Sequence, residues 1–94
     1  MQTDIQSLHF KASEQLLQFV NEKMDKLPQL NRRITSCNVY LKLDKSETRD
    51  NKVCELNVHI PGNILFVKRA AHSFEEAVQE ATHAMQEQLR GVKA

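Results

Sequence analysis

Read from the N-terminus, the spacing of apolar positions changes several times, and each change marks an element. Residues 3 to 10 mix apolar and polar side chains without clean alternation, but Leu8 and Phe10 fall on one face and suggest a first strand. Behind Ser13, whose hydroxyl can accept from a free amide at a helix start, Leu16, Leu17, Phe19, Val20, Met24 and Leu27 recur every three or four residues. Glu14, Gln18, Glu22, Lys23, Asp25 and Lys26 occupy the opposite face, so an amphipathic helix is expected, ended by Pro28. From residue 37 the alternation is strict. Cys37, Val39, Leu41 and Leu43 share one face, with Asn38, Tyr40, Lys42 and Asp44 on the other. The stretch from Lys45 to Lys52 has no apolar residue and reads as a surface hairpin loop. Beyond it, Cys54, Leu56, Val58 and Ile60 point inward, with Val53, Glu55, Asn57 and His59 outward.

Pro61-Gly62-Asn63 is strong turn chemistry, because proline presets φ and glycine or asparagine adopts positive φ at little cost. The fourth strand, Ile64 to Ala71, is apolar on both faces until Lys68 and Arg69 interrupt it. Ser73 and Glu76 form an S-x-x-E capping box, and Phe74, Ala77, Val78, Ala81, Met85, Leu89 and Val92 make the stripe of a final helix. The element order is therefore β-α-β-β-β-α. Strand 1 reaches strand 2 through a helix, as a parallel pair requires, and the later strands are joined closely enough to form an antiparallel meander. Two amphipathic helices each need to bury one face, and covering the same side of the sheet satisfies both. The expected fold is an α+β two-layer sandwich, a four-stranded mixed sheet with two helices on one face, as a single domain over residues 1–94.

Composition adds few constraints. A chain of 94 residues with 40% hydrophobic and 27% charged residues suits one compact core. No apolar run approaches the roughly 20 residues that span a membrane, and the N-terminus lacks a signal-peptide pattern, so no membrane contact and a cytoplasmic location are expected. Cys37 and Cys54 fall at inward strand positions and are expected as buried free thiols; a metal site would need Cys and His at short spacing, and none occurs. Glycine-rich phosphate loops and nucleophile elbows are missing too, so no cofactor and no small-molecule substrate are expected. His9 and His59, both on strands, are the minimal acid–base pair through which the chain could be an enzyme; without a nucleophile or ligand set they read as surface histidines.

Net charge is only +1, but its distribution is uneven: residues 21 to 69 hold ten Lys or Arg against six acids, and residues 70 to 94 hold two against four. The candidate phosphate contacts are Lys23 and Lys26 at the end of the first helix, Arg32 and Arg33 beyond it, Lys42 and Lys45 around strand 2, Lys68 and Arg69 on strand 4, and Arg90 and Lys93 at the C-terminus. Base stacking would need exposed aromatics on the sheet. Tyr40 alone is expected there, since Phe10, Phe19, Phe66 and Phe74 fall where the core should be, and this favours recognition of folded RNA by shape and backbone.

Ile5-Gln6-Ser7-Leu8-His9-Phe10, the helix end Lys23-Met24-Asp25-Lys26-Leu27, the strand Val39-Tyr40-Leu41-Lys42-Leu43, and Pro61 to Lys68 followed by Ser73-Phe74-Glu75-Glu76-Ala77-Val78 carry a family resemblance. In order and spacing the chain resembles, along essentially its whole length, the short ribosome hibernation promoting factors, also called ribosome-associated inhibitor or sigma-54 modulation protein. The resemblance implies a bacterial protein with a fold like the double-stranded-RNA-binding domain. It further implies occlusion of the decoding region of the small ribosomal subunit through rRNA backbone contacts, storing or silencing ribosomes in stressed or stationary cells. Lys23 and Lys26 match the basic residues that close the family's first helix, and Lys42 and Lys68 match basic strand positions. In the last helix Gln88-Leu89 follows Ala84, Met85, Gln86 and Glu87 where the family carries Lys or Arg, which implies fewer phosphate contacts. That acidic helix also suggests an alternative, a diverged module of the same fold that binds a protein or another RNA without ribosome association. Oligomeric state stays open.

Overall fold

The computed structural model describes residues 1–44 and 49–92, so Lys45 and the rest of the 45–48 segment of the expected hairpin loop, and Lys93 near the C-terminus, lie outside the described residues. The chain forms β1 (Gln2–Leu8), α1 (Glu14–Met24), α2 (Leu27–Leu30), β2 (Ser36–Leu43), β3 (Lys52–Ile60), β4 (Asn63–Ala71) and α3 (Phe74–Arg90). The strands lie in sequence order, with β1 and β2 parallel and the other pairs antiparallel. The α1–α2 crossover makes the parallel pairing possible, and the helices cover one face of this four-stranded mixed sheet.

The strict alternation of β2 and β3 becomes two differently used faces. Cys37, Val39 and Leu41 of β2 and Cys54, Leu56 and Val58 of β3 are fully buried under the helices. Leu16, Val20 and Met24 of α1, Leu27 of α2, and Ala77, Val78, Ala81, Met85 and Leu89 of α3 close the same core. Both helix starts are capped as their sequences require: Ser13 Oγ accepts from the Leu16 amide and Ser73 Oγ from the Glu76 amide, each at 3.1 Å.

The structure corrects four expectations. The first strand ends at Leu8, because His9 adopts a left-handed backbone conformation, φ 71°, which histidine tolerates better than most residues. The kink turns Phe10 inward, where its ring stacks on Phe74 with centroids 4.4 Å apart. Pro28 does not simply stop the first helix: α1 ends at Met24, and Pro28 sits in the first turn of α2, where a missing amide hydrogen costs little. Val53 lies on the outer face as expected but is only 4% exposed. It shares a depression with Lys42 and Lys68, whose aliphatic stems can cover apolar surface.

The largest correction concerns Phe66. The turn holds two residues, with Ile60 paired to Asn63 and Gly62 at φ 81°, so the register sets Phe66 against Asn57 on the outer face. Phe66 is 50% exposed and Ile64 58% exposed, while Val67 and Ala71, of opposite parity, are buried. The outer face thus presents Tyr40 and Phe66, not Tyr40 alone.

Two predictions follow from the core. Leu56→Ala, at a fully buried position in a central strand, should lower unfolding free energy by about 2–5 kcal/mol in a denaturant titration. Burial pushes the Cys37 and Cys54 thiols up from 9.0 to about 12, with the charges of Cys37 and Glu55 adding to the effect at Cys54. The unfolded chain ionises these thiols from about pH 9, whereas the folded chain holds them neutral, so their contribution is complete below pH 9 and is lost as pH rises towards 12. The urea midpoint should therefore fall between about pH 8 and about pH 10.5, and fall less in a Cys37→Ala/Cys54→Ala variant.

Candidate nucleic-acid interface

The candidate cations fall into three groups set by the topology. Lys23, at the end of α1, Lys26, just beyond it, and Arg69 on β4 border one open groove of about 850 Å³ along α3. Lys23 is held over the ring of Phe19, four residues earlier on the same helix, with its ammonium 5.2 Å from the ring centroid. Arg69 folds back on its own strand and donates from Nη1 to the Lys68 carbonyl at 2.8 Å. The groove is not uniformly basic, because α3 contributes Glu76 and Glu80 to its wall. Near them, His83 Nε2 lies 3.3 Å from Glu87 Oε1.

Lys42 and Lys68 form the second group. They share a smaller depression on the outer sheet face with His9, Asp44 and Val53. Lys42 is ion-paired with Glu55, the residue directly across the β3–β4 ladder from Lys68. Among the described residues it is the one candidate cation so paired; the others keep their charge available.

Arg33 belongs to the third group, at the end of the sheet where β2 begins. It borders a small depression with Asn31, Pro61 and Val92, and the buried Asn31 fixes the loop by accepting from the Arg33 amide through Oδ1 at 2.9 Å. Arg32 is exposed beside it, and Arg90 lies two residues before Val92 in the last turn of α3. The cations thus rim the sandwich at separate places and do not merge into one patch.

His9 and His59 are not brought together. His59 is level with Ser36 and Gln2 at one end of the sheet, where its Nε2 lies 3.3 Å from Asn38 Nδ2. His9 follows β1 at the other end, roughly 20 Å away by strand rise, which removes the acid–base pair. Among the described residues, no cluster of three His, Cys, Asp or Glu is placed to hold a metal ion, and no helix is long and apolar enough to cross a membrane.

Sequence reasoning missed Phe66 and Ile64 as surface residues and His9 as a neighbour of Lys42 and Lys68. A two-residue turn at Pro61-Gly62 was the signal for the first two, since it places Phe66 opposite the already outward Asn57. His9 gave no comparable signal; its position depends on the backbone kink that ends β1.

The fold class is an α+β two-layer sandwich of β-α-β-β-β-α order whose rim carries separated cations. The family model described as sigma 54 modulation protein / S30EA ribosomal protein matches residues 3–94, and the chain belongs to that family. Among solved structures it is similar to a ribosomal subunit interface protein from Coxiella burnetii, at 15% identity and a TM-score of 0.85 over 97% of this chain and 96% of that one. It is also similar to the N-terminal domain of Thermus thermophilus Protein Y, at 17% identity and a TM-score of 0.83 over 99% and 100%. No curated protein matches the sequence. At such identities the two structures establish a shared fold, while membership of the family rests on the match over residues 3–94.

Proposed function

We propose that this protein is a ribosome-binding hibernation factor of bacterial cytoplasm, which occludes the decoding region of the small ribosomal subunit through contacts to the rRNA backbone in stressed or stationary cells. Family membership over residues 3–94 carries the reading. Two further observations support it. Lys23, Lys26, Arg32, Arg33, Lys68, Arg69 and Arg90 form no ion pair among the described residues, so no carboxylate has to be displaced before their charges meet phosphate. They also sit at separate points of the rim, an arrangement that suits a folded RNA enclosing the protein better than a single straight duplex. Lys42 and Lys93 are assigned to the same role, Lys42 after exchanging Glu55 for phosphate. The protein acts in this reading as a plug rather than a catalyst.

The acidic side of α3 supports the second reading, a diverged module that binds a protein or another RNA, because Glu76 and Glu80 stand in the groove that Lys23 and Lys26 border. Cosedimentation separates the two. The purified protein should travel with isolated small subunits at about 50 mM salt and largely dissociate by about 200 mM, since each phosphate contact adds close to one unit to the salt slope. Absence from the small-subunit fraction at the lower salt would favour the second reading. Within the first, Lys23→Gln/Lys26→Gln should lower the slope of log affinity against log salt by about two. Glu55→Gln, which spares Lys42 the exchange of carboxylate for phosphate, should tighten binding at about 50 mM salt while leaving the slope nearly unchanged.

A further inference from the structure

We infer that the outer face of the sheet is a second nucleic-acid surface, which binds an unpaired RNA strand by stacking a base on Phe66 while Lys68 holds a neighbouring phosphate. The helices bury the other face, so β1 to β4 leave this one open. Phe66, 50% exposed, lies one outward position from Lys68 along β4 and opposite Asn57. Tyr40 projects from the same face, about 12 Å away by strand spacing and rise, with Asn38 and Asn57 on the next row offering amide donors and acceptors. An aromatic ring, a second aromatic a short span away, amides between them and an adjacent lysine are the parts from which single-strand readers are assembled.

Two competing occupants fit less well. An added peptide strand would need the free edge of β4, but Gln88 Nε2 already donates to the outward carbonyl of Phe66 at 3.1 Å. A folded protein would need a continuous apolar patch, since stable interfaces bury about 800 Å² on each partner. Ile64 and Phe66 are two side chains among amides, a histidine and a lysine. Lys68 is the cation that β4 offers a phosphate on this face, since Arg69 faces the helical side; Glu55 across the ladder is engaged by Lys42, and Asp44 lies in the same depression. One stacked base needs only one exposed ring.

This surface goes beyond ribosome occlusion, shares only Lys42 and Lys68 with it, and is testable without ribosomes. Tyr40 is the single tyrosine in a chain without tryptophan, so its emission reports this face alone. An eight-nucleotide oligouridine titrated at about 50 mM salt should quench that emission, and an RNA duplex of equal length should not. Phe66→Ala should weaken oligouridine binding about tenfold or more, the range expected for loss of one base–aromatic stack, with the thermal midpoint and small-subunit cosedimentation unchanged. Lys68→Gln should weaken binding and lower its salt slope by about one. Quenching by the duplex equal to that by the single strand, no quenching by either, or unchanged oligouridine affinity in Phe66→Ala would each overturn the inference. Failure of cosedimentation with intact quenching would reject the hibernation reading and leave this one standing.

Discussion

The register of one hairpin governs both surfaces of this molecule. Ile60 pairs with Asn63 across a two-residue turn, and Gly62 supplies the positive φ that lets the chain reverse there. Because side chains alternate along a strand, that pairing decides which half of an evenly apolar β4 is buried. Val67 and Ala71 join the core, and Ile64 and Phe66 go to solvent. A slip of one residue would bury Lys68 under α3 and expose Val67, with a cost in both desolvation and lost packing. The polar side of β3 therefore assigns the faces of a strand whose own sequence leaves them ambiguous.

The same dependence explains how much was legible in the sequence. Strands 2 and 3 alternate cleanly, and Cys37, Val39, Leu41, Cys54, Leu56, Val58 and Ile60 are buried as the pattern expects, with outward Val53 buried besides. The final helix was equally plain, with a serine cap at its start and an apolar stripe along its length. Legibility failed where one residue redirected the chain. His9 breaks β1 by its backbone conformation, and Pro28 starts a turn of helix that its usual role as a terminator concealed. Hydrophobicity alone sends Phe66 to the core, although its partner across the ladder is an outward asparagine. Among the candidate cations, residue type and exposure were readable but grouping was not. Lys23 and Arg69 are distant in sequence and border one groove, whereas Lys68 and Arg69 are adjacent and face opposite sides of the sheet.

Charge is distributed by layer rather than by patch. The acids of α3 begin where carboxylates are favoured, at the positive end of the helix dipole, and continue along its polar side as Glu80 and Glu87. The candidate cations sit at or just beyond the ends of helices, on β2 and β4 and in the loop before β2. A polyanion approaching the helical layer therefore meets both signs, which lowers affinity while making orientation matter. Approach to the outer face meets Lys42 and Lys68 beside two carboxylates, Glu55, which Lys42 engages, and Asp44.

The two cysteines bear on durability. Cys37 and Cys54 lie against the hydrophobic core with no exposed surface, and their thiols remain protonated well beyond neutral pH. Peroxide reacts with accessible thiolate, the first rung towards sulfenic and sulfonic acids, so neither sulfur offers the species that oxidation requires. Met24 and Met85, both fully enclosed, are shielded in the same way from conversion to the sulfoxide. The sulfur atoms of this core are thus kept from chemical ageing by the same packing that holds the sandwich together, and the folded molecule can outlast an oxidative episode without a repair enzyme having to reach its interior.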